Sequence, residues 1–262
     1  MGKRVAALAA GSTDIKIVGA LESPRSPDLG KDVGEVSYAG DLGAKVFPAE
    51  EIERVVKESQ PDVLVDFTNA EASTQNVVAA SRLGLRIVMG TTGHSEEQMS
   101  RIVESIRANR VAAVIAPNMS LGVTVLLEAC QLVAKMLPGY DVEILEVHHR
   151  QKIDAPSGTA LKLARAISET LHMDPAKDIV SGRAGIRKRG DREIGIASLR
   201  AGDIVGDHTI IFAGPGERIE LTHRAHSRDA FASGVLSSIR FVSKAEPGIY
   251  SMKDVLRPAS GG

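Results

Sequence analysis

Cysteine is almost missing from this chain. The single one, Cys130, excludes a disulfide framework and a multi-cysteine metal site. Aromatic residues are few as well, with three Tyr and five Phe in 262 residues. Neither sign of charge is in excess: 32 Lys and Arg stand against 33 Asp and Glu, a net charge of -1. Nothing in that balance draws the whole protein to nucleic acid or to an anionic membrane surface. No apolar run approaches the ~18 residues a membrane span needs, and the basic start lacks a signal-peptide cleavage pattern. The expectation is a cytoplasmic protein with no nucleic-acid or membrane partner. What the chain has in plenty is glycine, 25 residues, beside 43% apolar and 25% charged residues. That mix suits an α/β enzyme with many backbone-lined turns.

Short apolar runs alternate with helical patterns through the first half. Ile15–Leu21, Val63–Phe67, Ile87–Met89 and Ala112–Ile115 read as strands, with helices over Ala72–Leu83 and Glu96–Ala108. That order predicts a doubly wound parallel sheet covered on both faces. After Asn118 the texture changes. A helix over about Val123–Leu137 leads to a strand at Val142–Val147 and a helix at Ala160–Leu171. Period-two alternation then marks strands at Glu193–Leu199, Asp207–Phe212 and Arg218–Arg224, before a last helix over Ala230–Ser243. This predicts a smaller α+β unit with a mostly antiparallel sheet. The first domain is expected at residues 1–119, completed by 229–262, and the second at 120–228.

The densest polar segment runs from Glu146 to Ala160 and includes His148, His149, Lys152, Ser157, Gly158 and Thr159. It follows a strand and opens a helix whose free backbone N–H groups are a cradle for carboxylate or phosphate. Two imidazoles and a lysine add positive charge and titratable protons, so an anion site with a His or Lys general acid is one reading. A solvated loop with an N-cap is the other. Adjacent histidines do not share a face, which weakens zinc, and Ser157 lacks the G-x-S-x-G elbow of a serine hydrolase. Gly90-Thr91-Thr92-Gly93 and Ala116-Pro117-Asn118-Met119-Ser120 follow strands, at the carboxyl ends where doubly wound sheets bind ligands, though each taken singly is more often a plain turn. Glu22, at the end of an early strand, stands where an acidic residue would bond an adenosine ribose, though a lone strand-end Glu is usually just solvated. Gly214-Pro215-Gly216 imitates a dinucleotide fingerprint but lacks the third glycine and precedes an alternating run, so a hairpin turn is expected. Cys130 lies on an apolar helix pattern and reads as a core thiol, and His223 and His226 as structural or surface residues.

The segment Glu146–Thr159 closely resembles the signature of the 4-hydroxy-tetrahydrodipicolinate reductase (dihydrodipicolinate reductase) family. The likeness runs nearly the full length. It includes Val65-Asp66-Phe67-Thr68, the loops at Gly90–Gly93 and Ala116–Gly122, Ile194–Asp203, Leu221–Arg224 and the tail Pro247–Leu256. The resemblance implies an NADH- or NADPH-dependent reductase of lysine and diaminopimelate biosynthesis, with a Rossmann-like domain and a tetramerising α/β domain. It implies His148 as general acid assisted by Lys152. His149, Ser157, Gly158 and Thr159 match positions holding a carboxylate of a small cyclic dicarboxylate. Met1, Glu22, Phe67, Gly90, Thr91, Thr92, Ala116, Pro117, Asn118 and Met119 match cofactor positions. Ser23 follows Glu22 where some relatives carry a basic residue for a 2′-phosphate, which leans toward NADH while leaving both cofactors open.

The departure lies at the start. Relatives open with a strand and a glycine-rich turn, whereas Met1–Ala10 here resembles the end of that turn and the following helix. Its alanines favour helix, and no room for a crossover remains before Ile15. The expectation is that the first strand and most of the pyrophosphate loop are missing, and that such a chain is unstable or binds dinucleotide poorly. Two other functions are set beside the reductase. One is a remnant acting only as an assembly partner, against which His148 and Lys152 are intact. The other is a dehydrogenase using a cysteine nucleophile, against which Cys130 lies on an apolar helix pattern.

Overall fold

Helical propensity decides the first element. Gly2–Ala10 forms helix α1, burying Val5 and Ala9 four residues apart on one face. The computed structural model describes residues 1–257, so the last five residues of the stretch expected to complete the first domain lie outside the described residues. The chain continues through β1 (Ala20–Glu22), α2 (Val33–Ser37), β2 (Val46–Pro48), α3 (Ile52–Ser59), β3 (Val63–Asp66), α4 (Ala70–Arg82), β4 (Arg86–Met89), α5 (Glu96–Ala108) and β5 (Ala112–Ile115). It then runs through α6 (Leu121–Met136), β6 (Asp141–His148), α7 (Gly158–Thr170), α8 (Pro175–Asp178), β7 (Ile179–Ser181), β8 (Ile194–Arg200), β9 (Gly206–Gly214) and β10 (Glu217–Ala225). Helix α9 (Asp229–Val242), β11 (Gly248–Tyr250) and α10 (Met252–Leu256) close it. The chain divides into one unit of Met1–Leu121 with Phe231–Gly262, and another of Gly122–Ala230.

Every strand pair in the first unit is parallel. Strands pair in the order β11-β5-β4-β3, with β1 and β2 a separate pair. Parallel strands reached by crossover helices are covered on both faces. Ile87, Val88, Met89, Ala113 and Val114 are accordingly fully buried, while Val63, Leu64 and Val65 on β3 are half-buried. The strand expected over Ile15–Leu21 is shorter and later, because pairing with β2 begins only at Ala20. Asn69 caps α4 by accepting from Ala72 N–H, and Ser95 and Gln98 close α5 with a capping box.

The second unit is one five-stranded sheet, ordered β10-β9-β6-β8-β7. It is mixed rather than mostly antiparallel. The β10–β9 and β9–β6 pairs are antiparallel, while β6–β8 and β8–β7 are parallel; α7 and α8 carry the chain from β6 to β7, and residues 182–193 carry it back to the start of β8. The hairpin expected at Pro215-Gly216 joins β9 to β10, with Glu217 opposite Gly214. Helices α6 and α7 lie on one face. Leu126, Cys130, Leu163 and Ile167 pack there against Val142, Ile144, Ile194, Ile196, Ile210 and Phe212. Cys130 is fully buried and its thiol is pushed up to about 12, so it is inert packing at neutral pH.

Candidate active site

Strand alternation places the chemistry of the second unit. On β6, Val142, Ile144, Glu146 and His148 are buried at every second position. The apolar pair enters the core under α7, and the polar pair continues the same row to the carboxyl end. Across the sheet, Glu146 stands opposite Ser198 of β8 and His208 of β9, and His208 stands opposite His223 of β10. A polar row thus crosses four strands beyond the end of the core.

Glu146 is 0% exposed and is fully used. Arg200 donates to it through both terminal nitrogens at 2.8 and 2.9 Å. His148 lies with Nδ1 2.5 Å away, and Ser157 N–H donates at 3.1 Å. Burial pushes the Glu146 carboxyl up, but the donors from Arg200, Ser198 and His148 outweigh it and hold the group at about 2. The carboxylate is therefore ionised, and it fixes the proton of His148 on Nδ1. Nε2 is left as the nitrogen that can exchange a proton with a ligand. Burial lowers the His148 pKa, with Glu146 pulling the other way. The ring is held between His208, edge-on with centroids 5.2 Å apart, and the backbone of Gly206. A Cβ at residue 206 would sit 3.0 Å from Nε2, a contact tight enough that the His148 ring would have to shift to admit it.

Ser157 opens α7. Its hydroxyl accepts from Ala160 N–H at 3.1 Å, and its Oγ lies 3.2 Å from His208 Nε2. Gly158, the first helical residue, is exposed, and a Cβ built there meets nothing within 4 Å, which leaves room for a ligand against the backbone. Lys152 places Nζ 2.6 Å from Asp154, whose carboxyl it holds below the usual range. The Lys152 charge also reaches His148 and lowers it further. His149 is half-buried, with Nδ1 buried and unpartnered. Thr159 is half-buried in the first turn of α7.

The cofactor candidates lie in the first unit, at strand ends. Phe67 follows β3, Gly90, Thr91 and Thr92 follow β4, and Ala116, Pro117, Asn118 and Met119 follow β5. The loops tie to one another through Asp66. This 2%-exposed carboxylate accepts from the hydroxyls of Thr91 and Thr68, and Thr68 N–H donates to Thr91 Oγ1 at 2.9 Å. Gly90 makes room for the Phe67 ring, which would come within 2.1 Å of a Cβ there. Thr92 is exposed, the Met119 side chain is core, and Asn118 accepts from Ser120 N–H at 2.9 Å. Glu22 ends β1 with an exposed carboxylate that accepts from Ser23 N–H at 2.8 Å. Met1 caps α1 by its carbonyl alone, with no side-chain cap. Lys3 in that turn pairs with Asp28 at 2.8 Å and feels the charge of Glu22.

Three groups escaped sequence reasoning: the role of Glu146, Arg200 as its counter-ion, and His208. The signal for His208 was present, because it shares the inward alternation of Ile210 and Phe212. An imidazole on a core-facing position needs a partner. Arg200 had no such signal, since its pairing depends on the β6–β8 register.

A parallel unit with exposed loops at its strand ends, followed by a mixed-sheet unit with a buried, carboxylate-paired histidine, is the architecture of a family of oxidoreductases. Two family models match the chain: "Dihydrodipicolinate reductase, N-terminus" over residues 1–119 and "Dihydrodipicolinate reductase, C-terminus" over 122–256. A 4-hydroxy-tetrahydrodipicolinate reductase of Methanocaldococcus jannaschii is 48% identical over 98% of this chain and 93% of its own. One of Methanopyrus kandleri is 47% identical over 98% and 92%. Among solved structures, a dipicolinate-bound dihydrodipicolinate reductase from Paenisporosarcina sp. TG-14 is 26% identical, with a TM-score of 0.77 over 98% of this chain and 95% of that one. An amine dehydrogenase from Mycobacterium smegmatis, 17% identical with a TM-score of 0.60 over 98% and 93%, shares the fold. The chain belongs to the dihydrodipicolinate reductase family.

Proposed function

We propose that this chain reduces 4-hydroxy-tetrahydrodipicolinate to tetrahydrodipicolinate with NADH or NADPH, a step of lysine and diaminopimelate biosynthesis. The observation that carries this is the His148 imidazole, locked through Nδ1 to an ionised, Arg200-paired Glu146 beside the amino end of α7. Family membership supplies the substrate class.

The dinucleotide, when bound, supplies a hydride. The residues present fit such a group at several points. Glu22 offers an exposed carboxylate to a ribose, and α1, without a side-chain cap, offers N–H groups to a phosphate. The loops after β3 and β4 are pinned by Asp66 and Thr91, so their backbone is presented in a fixed form. Phe67, Gly90, Thr91, Thr92 and Ala116 to Met119 are the proposed nicotinamide-side contacts. Ser23 beside Glu22 favours NADH, with NADPH still accepted.

Substrate carboxylate is proposed to lie against Ser157, Gly158 and Thr159, with His149 and Lys152 adding donors. A dianion placed there raises the His148 pKa against the effect of burial. Loss of the 4-hydroxyl as water leaves the conjugated imine ring; as the hydride adds to its carbon and electron density builds on the ring nitrogen, His148 delivers to that nitrogen the proton carried on Nε2. Lys152 balances the charge of the dicarboxylate and of Asp154. The intact Glu146–His148–Arg200 set counts against a function in assembly alone.

We also propose a cytoplasmic homotetramer. Leu145, Val147, Ala197, Leu199 and Ile211 lie on the sheet face away from α6 and α7, half-buried or exposed, and such a face suits self-association. No helix among the described residues is long and apolar enough to cross a membrane. The test is oxidation of NADH or NADPH by the purified protein with and without 4-hydroxy-tetrahydrodipicolinate. Substrate-dependent oxidation with at least one cofactor is expected; no oxidation with either contradicts the proposal.

A further inference from the structure

His208 has no part in the chemistry above, yet it is 3% exposed and touches two of its members. Its ring packs edge-on against His148, and its Nε2 lies 3.2 Å from Ser157 Oγ. Its Nδ1 is buried and meets no polar partner. Burial holds it at about 4, so the ring is neutral at physiological pH and carries one proton on one nitrogen.

The two tautomers differ in what they leave behind. With the proton on Nδ1, a buried donor is stranded and Nε2 takes the Ser157 hydrogen. With the proton on Nε2, that N–H donates to Ser157 Oγ and only an acceptor is stranded, the less unusual case in folded proteins. Ser157 Oγ then accepts twice, from His208 and from Ala160 N–H at 3.1 Å. A hydroxyl with two acceptor sites filled has only its hydrogen to offer. An ionised carboxylate accepts and cannot donate, so it is the ligand group this serine is prepared for.

We infer that His208 is a positioning residue for the substrate site: its Nε2–H donates to Ser157 and commits the serine hydroxyl to donate to a substrate carboxylate. This rests on the proposed contact between Ser157 and that carboxylate. The role is separate from proton transfer, because His208 keeps its proton throughout.

The test uses the full chain, with dipicolinate as probe in calorimetry and steady-state kinetics alongside. Replacing His208 by Phe keeps a ring beside His148 and removes the donor. It is expected to weaken dipicolinate binding and raise substrate KM by about tenfold or more, the loss of one bond to a charged group, with kcat and NADH affinity within about threefold. His208→Gln, whose amide N–H replaces Nε2–H, is expected to recover most of the affinity. In a Ser157→Ala background, His208→Phe is expected to add nothing further. If Ser157→Ala weakens dipicolinate while a folded His208→Phe binds as the parent does, the inference fails and the serine contact stands. If Ser157→Ala itself leaves binding unchanged, the serine contact fails and takes the inference with it. Nitrogen-15 spectra of the unsubstituted protein need no folded variant: an Nε2–H tautomer at His208 supports the inference, and Nδ1–H overturns it.

Discussion

Two carboxylates are buried at strand ends, one in each unit, and they do different work. Asp66, closing β3, receives its hydrogen bonds from neutral donors: the hydroxyls of Thr91 and Thr68 and the amide of Asn76. Glu146, near the end of β6, receives a guanidinium, an imidazole and a helix-opening N–H. Both are nearly inaccessible to water. The difference lies in what answers the charge. Neutral donors make Asp66 a pin between two loops, which then present backbone. Charged and titratable donors couple Glu146 to the protonation of His148.

Removing the Glu146 carboxylate is expected to have the largest effect. Glu146→Leu leaves the Arg200 guanidinium without its counter-ion in a half-buried site and frees His148 to turn. The expected loss is about 3–5 kcal/mol in denaturant unfolding, with turnover falling further than that loss of folded protein accounts for. A loss below 1 kcal/mol would show that Glu146 is not the keystone of the row.

A pH series sharpens the same contrast with a similar but smaller effect. An unfolded histidine titrates near 6.5, and folded His208 stands at about 4. Between those values the unfolded chain binds a proton that the folded chain refuses. Stability from this group is therefore complete above about pH 6.5 and falls as pH drops to about 4, by about 3 kcal/mol in all. Unfolding free energies measured across that window should show the decline in the parent and a flatter line in His208→Gln. Equal slopes would place the pH dependence elsewhere.

The smallest effect belongs to the first unit. Thr91→Val removes a hydroxyl from Asp66 and the acceptor of Thr68 N–H, and should cost about 1–3 kcal/mol. NADH affinity should fall with it, because the loops after β3 and β4 lose their pin, while dipicolinate affinity stays unchanged. A change in dipicolinate affinity of the same size would contradict the separation of the two sites' supports.

The same contrast explains what could be read from sequence. Helices α5 and α7 are legible to within a few residues, α5 from its helical pattern over Glu96–Ala108 and α7 from the cap at Ser157. Strand β5 was legible because it is central and wholly apolar. Strand β1 was read too long, as the apolar run Ile15–Leu21 carries no mark of where a partner begins. In the second unit, His148 and Ser157 stood out by type and by their place between strand and helix. Arg200 did not, because it joins the site only through the pairing of β6 with β8, and His208 showed only as an imidazole on a core-facing position of β9. Side chains announce a site by local order; the residues that wire them together do so by register, which is a property of the fold.

The proton needed by the reaction is proposed to leave from His148. Steady-state kinetics of His148→Gln beside the parent, with 4-hydroxy-tetrahydrodipicolinate and NADH, test it most directly. A fall in kcat of about 10²- to 10³-fold is expected, with NADH KM unchanged. An unchanged kcat in a folded protein would contradict it.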